Sequence, residues 1–470
     1  MKYSRIASYK TYEQMSERFK ELELSIPFEK EVISGSDSPL QQPIAWKNQQ
    51  IGNRFCILPM EGWDGTPDGK PSDLTYRRWK SFGASGAKLI WGGEAVAVRH
   101  DGRANPNQLL ITDSNLSEIE ELRQQLVQEH EVSNQTTSDL VIGLQLTHSG
   151  RYSRPDLEVG PAPLPIRRNG VLDRRLSIND DSRLLSDDDL KVLIDDFIQA
   201  AKLAEKVGFD FVDIKHCHGY LGHELLSGID RAGEFGGSFE NRTRFLREIT
   251  HGIRSATRSL SIGVRLSIFD FLPFCMGEDG IGIPENNSNA EVCFGGDSTG
   301  TGVDLTEPLE FMNLLRSLNI NLVCTTAGSP YYNPHIQRPA FFPPSDGYQP
   351  PEDPIVGVAR QVMATKHLKE KNPDLVFVGS GYSYLQDWLP NVAQGVVRNH
   401  WVDSVGLGRM VLSYPNLPRD VLEGRSVHRK KVCRTFSDCT TAPRNGLVSG
   451  CFPLDDYYRK RPEREILKRL

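Results

Sequence analysis

Eight short apolar runs, at residues 55–60, 88–92, 141–147, 209–214, 261–266, 321–325, 375–379 and 404–406, punctuate this chain. Most are followed by a stretch of helical periodicity. The clearest helix covers 187–207, where Leu190, Leu193, Ile194, Phe197, Ala201 and Ala204 recur on one face. Ser186 with Asp189 forms a capping box at its start, and Gly208 provides the stop. Residues 309–318 and 356–368 fit helices less regularly. Near-continuous apolar strands alternating with helices require a parallel sheet covered on both faces. Eight such units predict an α/β fold of one kind, a closed (β/α)8 TIM barrel, which takes roughly 250 residues and over 400 with insertions. An open doubly wound sheet is the alternative, but the Gly-x-Gly-x-x-Gly turn it wants after its first strand is missing.

The 470 residues exceed a bare barrel. Residues 1–44 are read as a polar N-terminal extension, a helix plus an arm, 45–425 as the barrel and 426–470 as a C-terminal tail. Two long loops follow strands: 275–305, rich in Gly, Asn, Asp and Ser, and 327–354, with eight prolines. Loops of that length in a compact domain are usually functional. A net charge of −6 gives no footprint for nucleic acid, and no apolar run approaches the roughly 18 residues of a membrane span. Eight cysteines in so long a chain are not a disulfide framework. The expectation is a cytoplasmic, reduced protein acting on a small molecule, with no nucleic-acid or membrane partner and a homo-oligomer left open.

The chemistry concentrates after the fourth run. Lys215, His216, His218 and Tyr220 follow one buried strand directly. Four groups able to donate or accept protons at the carboxyl end of a parallel strand mark an active site. A zinc site from His216, His218 and His223 is conceivable, since three protein ligands and a water can suffice, but no metal is expected.

From His-Gly-Tyr-Leu at 218–221 to Glu-Phe-Gly-Gly-Ser-Phe-Glu-Asn-Arg-Thr-Arg-Phe at 234–245, the sequence resembles the signature of the old yellow enzyme family of FMN-dependent NADH:flavin oxidoreductases. Other pieces fall in that family's order: Asn53-Arg54 through Pro59-Met60, Glu94-Ala95, Gln145 through Arg151, Val264-Arg265-Leu266-Ser267, Gly379-Ser380-Gly381, and Gly406 through Met410. The resemblance covers roughly 45–420. It implies FMN as cofactor, with NAD(P)H as transient reductant. Gly379, Ser380, Gly381, Gly408 and Arg409 would cradle the phosphate through turn backbone and guanidinium. Arg265 and Gln145 would meet the pyrimidine edge, and Pro59, Met60, Glu61 and Ala95 would contact the ring. Lys215 and His218 take the places of the two donors that grip a substrate oxygen, and Tyr220 that of the proton donor. Trp63 falls on a substrate wall.

Two residues depart from the resemblance. Lys215 replaces a histidine, or the tyrosine of the trimethylamine dehydrogenase branch. Glu61 replaces a threonine or cysteine, and its charge would disfavour an anionic reduced ring unless it is paired or protonated. The tail resembles that branch's cluster segment, yet Cys433, Cys439 and Cys451 give Cys-x5-Cys-x11-Cys with Phe436 where a ligand would stand. Three thiols do not make a four-thiolate site, so no 4Fe-4S cluster is expected. The implied activity is hydride transfer from NAD(P)H, through FMN, to an electron-poor double bond. The alternative is an FMN-dependent amine or C–H dehydrogenase or demethylase of the trimethylamine dehydrogenase type.

Overall fold

The structure, a computed structural model, describes residues 3–134, 136–285 and 293–470. Its centre is the expected barrel. The strands are β1 (Phe55–Ile57), β2 (Leu89–Ile90 and, past a break, Ala95–Ala97), β3 (Val141–Thr147), β4 (Phe211–Ile214), β5 (Ser261–Ser267), β6 (Leu322–Thr326), β7 (Val376–Gly379) and β8 (Ser404–Leu407). All neighbours pair in parallel, and β8 closes on β1 through Val405 opposite Phe55. A helix follows each strand: α1 (Asp73–Gly83), α2 (Leu116–Asn134), α3 (Asp187–Lys206), α4 (Arg244–Ala256), α5 (Thr306–Ser317), α6 (Pro354–Lys371), α7 (Leu389–Arg398) and α8 (Leu417–Leu422).

The capping box of α3 forms as read from Ser186 and Asp189, and Gly208 just beyond the helix has φ +87°. Helix α6 runs longer than its periodicity indicated, because Asp353 caps it and Pro354 opens its first turn. Strand β2 differs most from expectation. The run 88–92 is only its first half, and Ala95–Ala97 continues along β3 without pairing to β1 as a strand. Gly92 and Gly93 make the break. A side chain on Gly93, at φ +49°, would meet the Trp79 ring at 2.9 Å.

Strand alternation divides the core in two. Cys56, Leu89, Trp91, Val141, Phe211, Leu322 and Val376 fill the barrel interior together with Ile44, Trp46 and Ile51 of a small hairpin, Ile44–Trp46 with Gln49–Ile51. Phe211 is the central plug. The rings of Trp46 and Trp91 meet it edge-on at 5.9 and 5.3 Å, and a Cβ on Gly143 would lie 2.2 Å from it. Alternate residues, Val212 and Ile214, join the larger layer between strands and helices. The same parity decides the site: Phe211 and Asp213 point inward, and Lys215 continues that row to the mouth.

The extension contributes a helix, Tyr12–Glu21, whose Arg18 pairs with Asp353 at 2.6 Å. The two long loops meet each other. A hairpin of Phe274–Met276 and Gly282–Pro284 bridges to the second loop through Ile281 and Gln349. Residues 286–292 of the first loop lie outside the described residues. The tail folds back across the barrel, packing Ala442, Phe452 and Tyr458 on Leu74 of α1. Among the described residues no helix is long and apolar enough to cross a membrane. Phe211→Ala is expected to cost about 3–5 kcal/mol of stability by urea unfolding, since no neighbour can refill the barrel centre.

Candidate active site

A cavity of about 710 Å³ opens at the carboxyl ends of the strands. Every site residue singled out in the sequence lines it except Ala95 and Gly379. Ala95 lies behind the wall, its N–H donating to the Met60 carbonyl at 3.3 Å. Gly379 stays within β7, its carbonyl 2.6 Å from where a Cβ on Gly406 would stand.

The floor is organised by Asp213. This buried carboxylate accepts from Gln145 Nε2 at 2.5 Å, Trp91 Nε1 at 2.7 Å and the Arg265 backbone N–H at 2.7 Å. Burial pushes its pKa up, against the pull of those donors. Arg265 donates from Nη1 to the Pro59 carbonyl at 3.2 Å, and its buried Nε has no hydrogen-bond partner among the described residues.

Above the floor, the two departures noted in the sequence meet each other. Lys215 Nζ, at the end of β4, lies 2.5 Å from Glu61 Oε1 in the turn after β1. The lysine side chain is only 2% exposed and the glutamate 19%. Tyr220 Oη donates to the other carboxylate oxygen and lies 2.6 Å from Tyr331 Oη. Lys215 Nζ also sits 3.7 Å from the centre of the Tyr220 ring. Burial and then the Glu61 charge hold the Tyr220 phenol well above its ordinary range, so it stays protonated at neutral pH. The turn carrying Glu61 is pinned from below, where Gly62 N–H donates to Glu94 at 2.6 Å and Glu94 pairs with Arg78.

His218 faces the cavity at φ +67°, with Nε2 3.2 Å from Thr326 Oγ1. Burial, followed by the Arg265 and Lys215 charges, lowers its pKa well below the usual histidine value, so the ring is neutral. His216 points the other way, with Nδ1 2.8 Å from the Ile214 carbonyl and its ring near Phe311 of α5. Among the described residues no three His, Cys, Asp or Glu side chains converge as a metal site.

The ends of β7 and β8 form the second half of the cavity. Gly381 has φ +93°, and open space surrounds the position a Cβ on Gly408 would take. Ser380 donates its hydroxyl to the Thr325 carbonyl. Arg409 donates to the Pro339 carbonyl at 2.7 Å, and its buried Nη1 is unpartnered among the described residues.

Several wall residues escaped the sequence reading. Tyr152 stacks on Tyr331 at 3.9 Å, and Tyr332 lies beside them. Tyr331 and Tyr332 belong to the proline-rich loop whose length alone had marked it. Asp270 anchors that loop through Tyr332 Oη at 2.5 Å and Asn333 Nδ2 at 2.7 Å. The tail also reaches the wall: Ser449 Oγ accepts from the Trp63 N–H at 2.8 Å.

A closed parallel barrel with glycines and an arginine after its last two strands, and a tyrosine after its fourth, places the chain among the (β/α)8 barrels with a site at the carboxyl ends of the strands. The sequence pattern of the NADH:flavin oxidoreductase / NADH oxidase family matches residues 39–280, and the chain belongs to that family. The old yellow enzyme resemblance is thereby borne out. An NADPH dehydrogenase from Geobacillus sp. is 30% identical over 249 residues, covering 50% of this chain and 65% of the relative. An NADH:flavin oxidoreductase from Gibberella zeae is 33% identical over 248 residues, 49% of this chain and 57% of the relative. Both matches thus span less than two thirds of the relative's own length. The solved structure of 2-naphthoyl-CoA reductase shares the fold, with a TM-score of 0.65 at 18% identity, covering 91% of this chain and 58% of that one.

The Asp270 anchor has a pH signature. Burial raises its carboxyl to about 6, above the ordinary aspartate value of 3.8, despite its two side-chain donors. The folded state therefore holds a proton that the unfolded chain releases at lower pH. The stability from this group is complete below the unfolded value and is lost as pH rises through about 6. Asp270→Asn should remove that segment of the stability–pH curve measured by urea unfolding between those two values.

Proposed function

We propose that this chain binds FMN in the cavity, takes reducing equivalents from NAD(P)H and delivers hydride to an electron-poor double bond of a small organic substrate, Tyr220 giving the proton. The convergence of Tyr220, Lys215, Glu61 and His218 over Arg265, in one cavity, carries the reading. The residues fit the cofactor. Arg265 Nε and Arg409 Nη1 are buried cationic donors without an acceptor among the described residues, and the backbone at Gly408 is bare enough for a phosphate to approach. When bound, FMN supplies the hydride chemistry.

The protein's own groups do the rest. Asp213 fixes Gln145 and the β5 backbone beneath the pyrimidine edge. Neutral His218 offers a hydrogen bond to a substrate oxygen, where charge grows as hydride adds to the conjugated carbon. Tyr220, kept protonated, places its proton at the neighbouring carbon. Tyr331, in contact with Tyr220 Oη, can restore that proton from the loop side. Lys215 compensates Glu61, so the carboxylate orients Tyr220 without opposing negative charge on the cofactor. The likeness to an NADPH dehydrogenase and to an NADH:flavin oxidoreductase supports a nicotinamide reductant.

A second reading rests on one contact. The Tyr220 hydroxyl donates to a carboxylate, the arrangement that also suits removal of a proton from a substrate. It corresponds to an amine or C–H dehydrogenase. Purified protein should be yellow and bleach anaerobically with NADH or NADPH alone. Bleaching by an amine alone would select the second reading, and a protein that neither carries nor takes up FMN would exclude both. Tyr220→Phe should leave bleaching by NAD(P)H intact and slow double-bond reduction by on the order of a hundredfold or more in stopped flow. Lys215→Met should weaken the Tyr220 arrangement too, slowing the same half-reaction by about tenfold with a smaller effect on bleaching.

A further inference from the structure

The cavity wall holds nine Lys and Arg side chains against two carboxylates, Glu61 and Asp346. Carboxylates behind the wall account for several of the nine: Arg78 pairs with Asp64 and Glu94, Arg151 with Asp173 and Glu224, and Arg175 with Glu285. Glu61 compensates Lys215, and Asp346 compensates Arg444. Arg154, Arg265, Arg338 and Arg409 have no carboxylate within ion-pairing distance among the described residues. The proposed function assigns Arg265 to the pyrimidine edge and Arg409 to the phosphate of FMN. Two cations of the wall remain uncompensated.

Arg338 is the better placed of these two for a ligand. It follows the short helix Pro334–Gln337 in the proline-rich loop, and the tail meets it there. Its Nη1 donates to Thr440 Oγ1, while its Nη2 is buried with no partner among the described residues. Arg444, also from the tail, lines the same cavity and donates to the Pro330 carbonyl at 2.7 Å. Burial, then the charges of Arg444 and Arg409, draws the Arg338 pKa below its ordinary range. A buried guanidinium beside two others is costly unless an anion joins them, and a planar fork with a free N–H is suited to a carboxylate or phosphate.

We propose that Arg338, supported by Arg444, binds a second anion in the cavity besides the FMN phosphate: a carboxylate or phosphate carried by the substrate or by the nicotinamide reductant. The inference rests on the proposed function for the roles of Arg265 and Arg409. The shared chemistry is an oxyanion held by a guanidinium fork. Its two sources are an acidic substrate and the ribose phosphate that distinguishes NADPH from NADH.

The test compares the wild-type holoenzyme with Arg338→Gln, Arg338→Lys and Arg444→Gln. Cyclohexenone and its ring-carboxylated analogue serve as substrates, NADH and NADPH as reductants, and FMN affinity is measured separately by fluorescence. Loss of one charge-assisted fork should raise the KM of the acidic partner about tenfold or more and leave the neutral one within about twofold. A selective change with the carboxylated enone identifies the substrate as the source, and one with NADPH but not NADH identifies the reductant. Arg338→Lys should recover part of the loss, and Arg444→Gln should reproduce part of it. Equal losses for acidic and neutral partners, no change with any, or a loss of FMN affinity in Arg338→Gln would overturn the proposal. Calorimetric titration of the wild-type protein with the two enones gives a readout without turnover, in which no preference for the carboxylated one and no preference for NADPH over NADH would also overturn it. Failure of wild-type protein to take up FMN would instead strike at the proposed function itself.

Discussion

A lysine withdrawn almost wholly from water needs a counter-charge. In this chain Glu61 supplies it across the barrel mouth, from the turn after β1 to the end of β4. That one contact ties together elements 154 residues apart. It also sets Tyr220, because the carboxylate oxygen not occupied by Lys215 accepts from its hydroxyl. The glutamate turn is held in place in turn by Glu94 and Arg78 beneath it. This side of the cavity is thus a small charge network resting on a rigid sheet, and removing either ion would leave the other uncompensated at the barrel mouth.

The other half of the cavity is built on the opposite principle. Its guanidiniums are gathered without enough carboxylates to neutralise them, and its glycines leave backbone exposed. Such a region favours anionic ligands. The loop after β6 and the tail close over it, and the tail reaches across to Trp63 as well. Segments outside the barrel repeat therefore shape the site as much as the strands do.

Much of this was legible in the sequence. The eight apolar runs gave the barrel because strand and helix periodicities are local, and β3 falls on its expected residues. Strand β2 was read only in part, since two glycines interrupt it and Ala95–Ala97 is too short to carry a periodic signal. At the end of β4, strand alternation turns Lys215 into the cavity and His216 away from it. Most of the anticipated cofactor and substrate positions line one cavity, because motifs at strand ends are brought together by barrel closure. Tyr152, Tyr331 and Arg338 carried no motif, and only packing of the loops revealed them.

By itself, the sequence determined the α/β barrel, the strand ends at which chemistry gathers, and the two unusual residues, Lys215 and Glu61. These depend on hydrophobic period and on residue type at fixed spacing. The tertiary structure alone decided that those two residues neutralise each other, that Tyr331 joins Tyr220, and that the tail brings Arg444 and Thr440 to Arg338. Pairings between side chains from distant strands and loops leave no trace in local pattern, since what joins them is the closure of the barrel and the burial of charge.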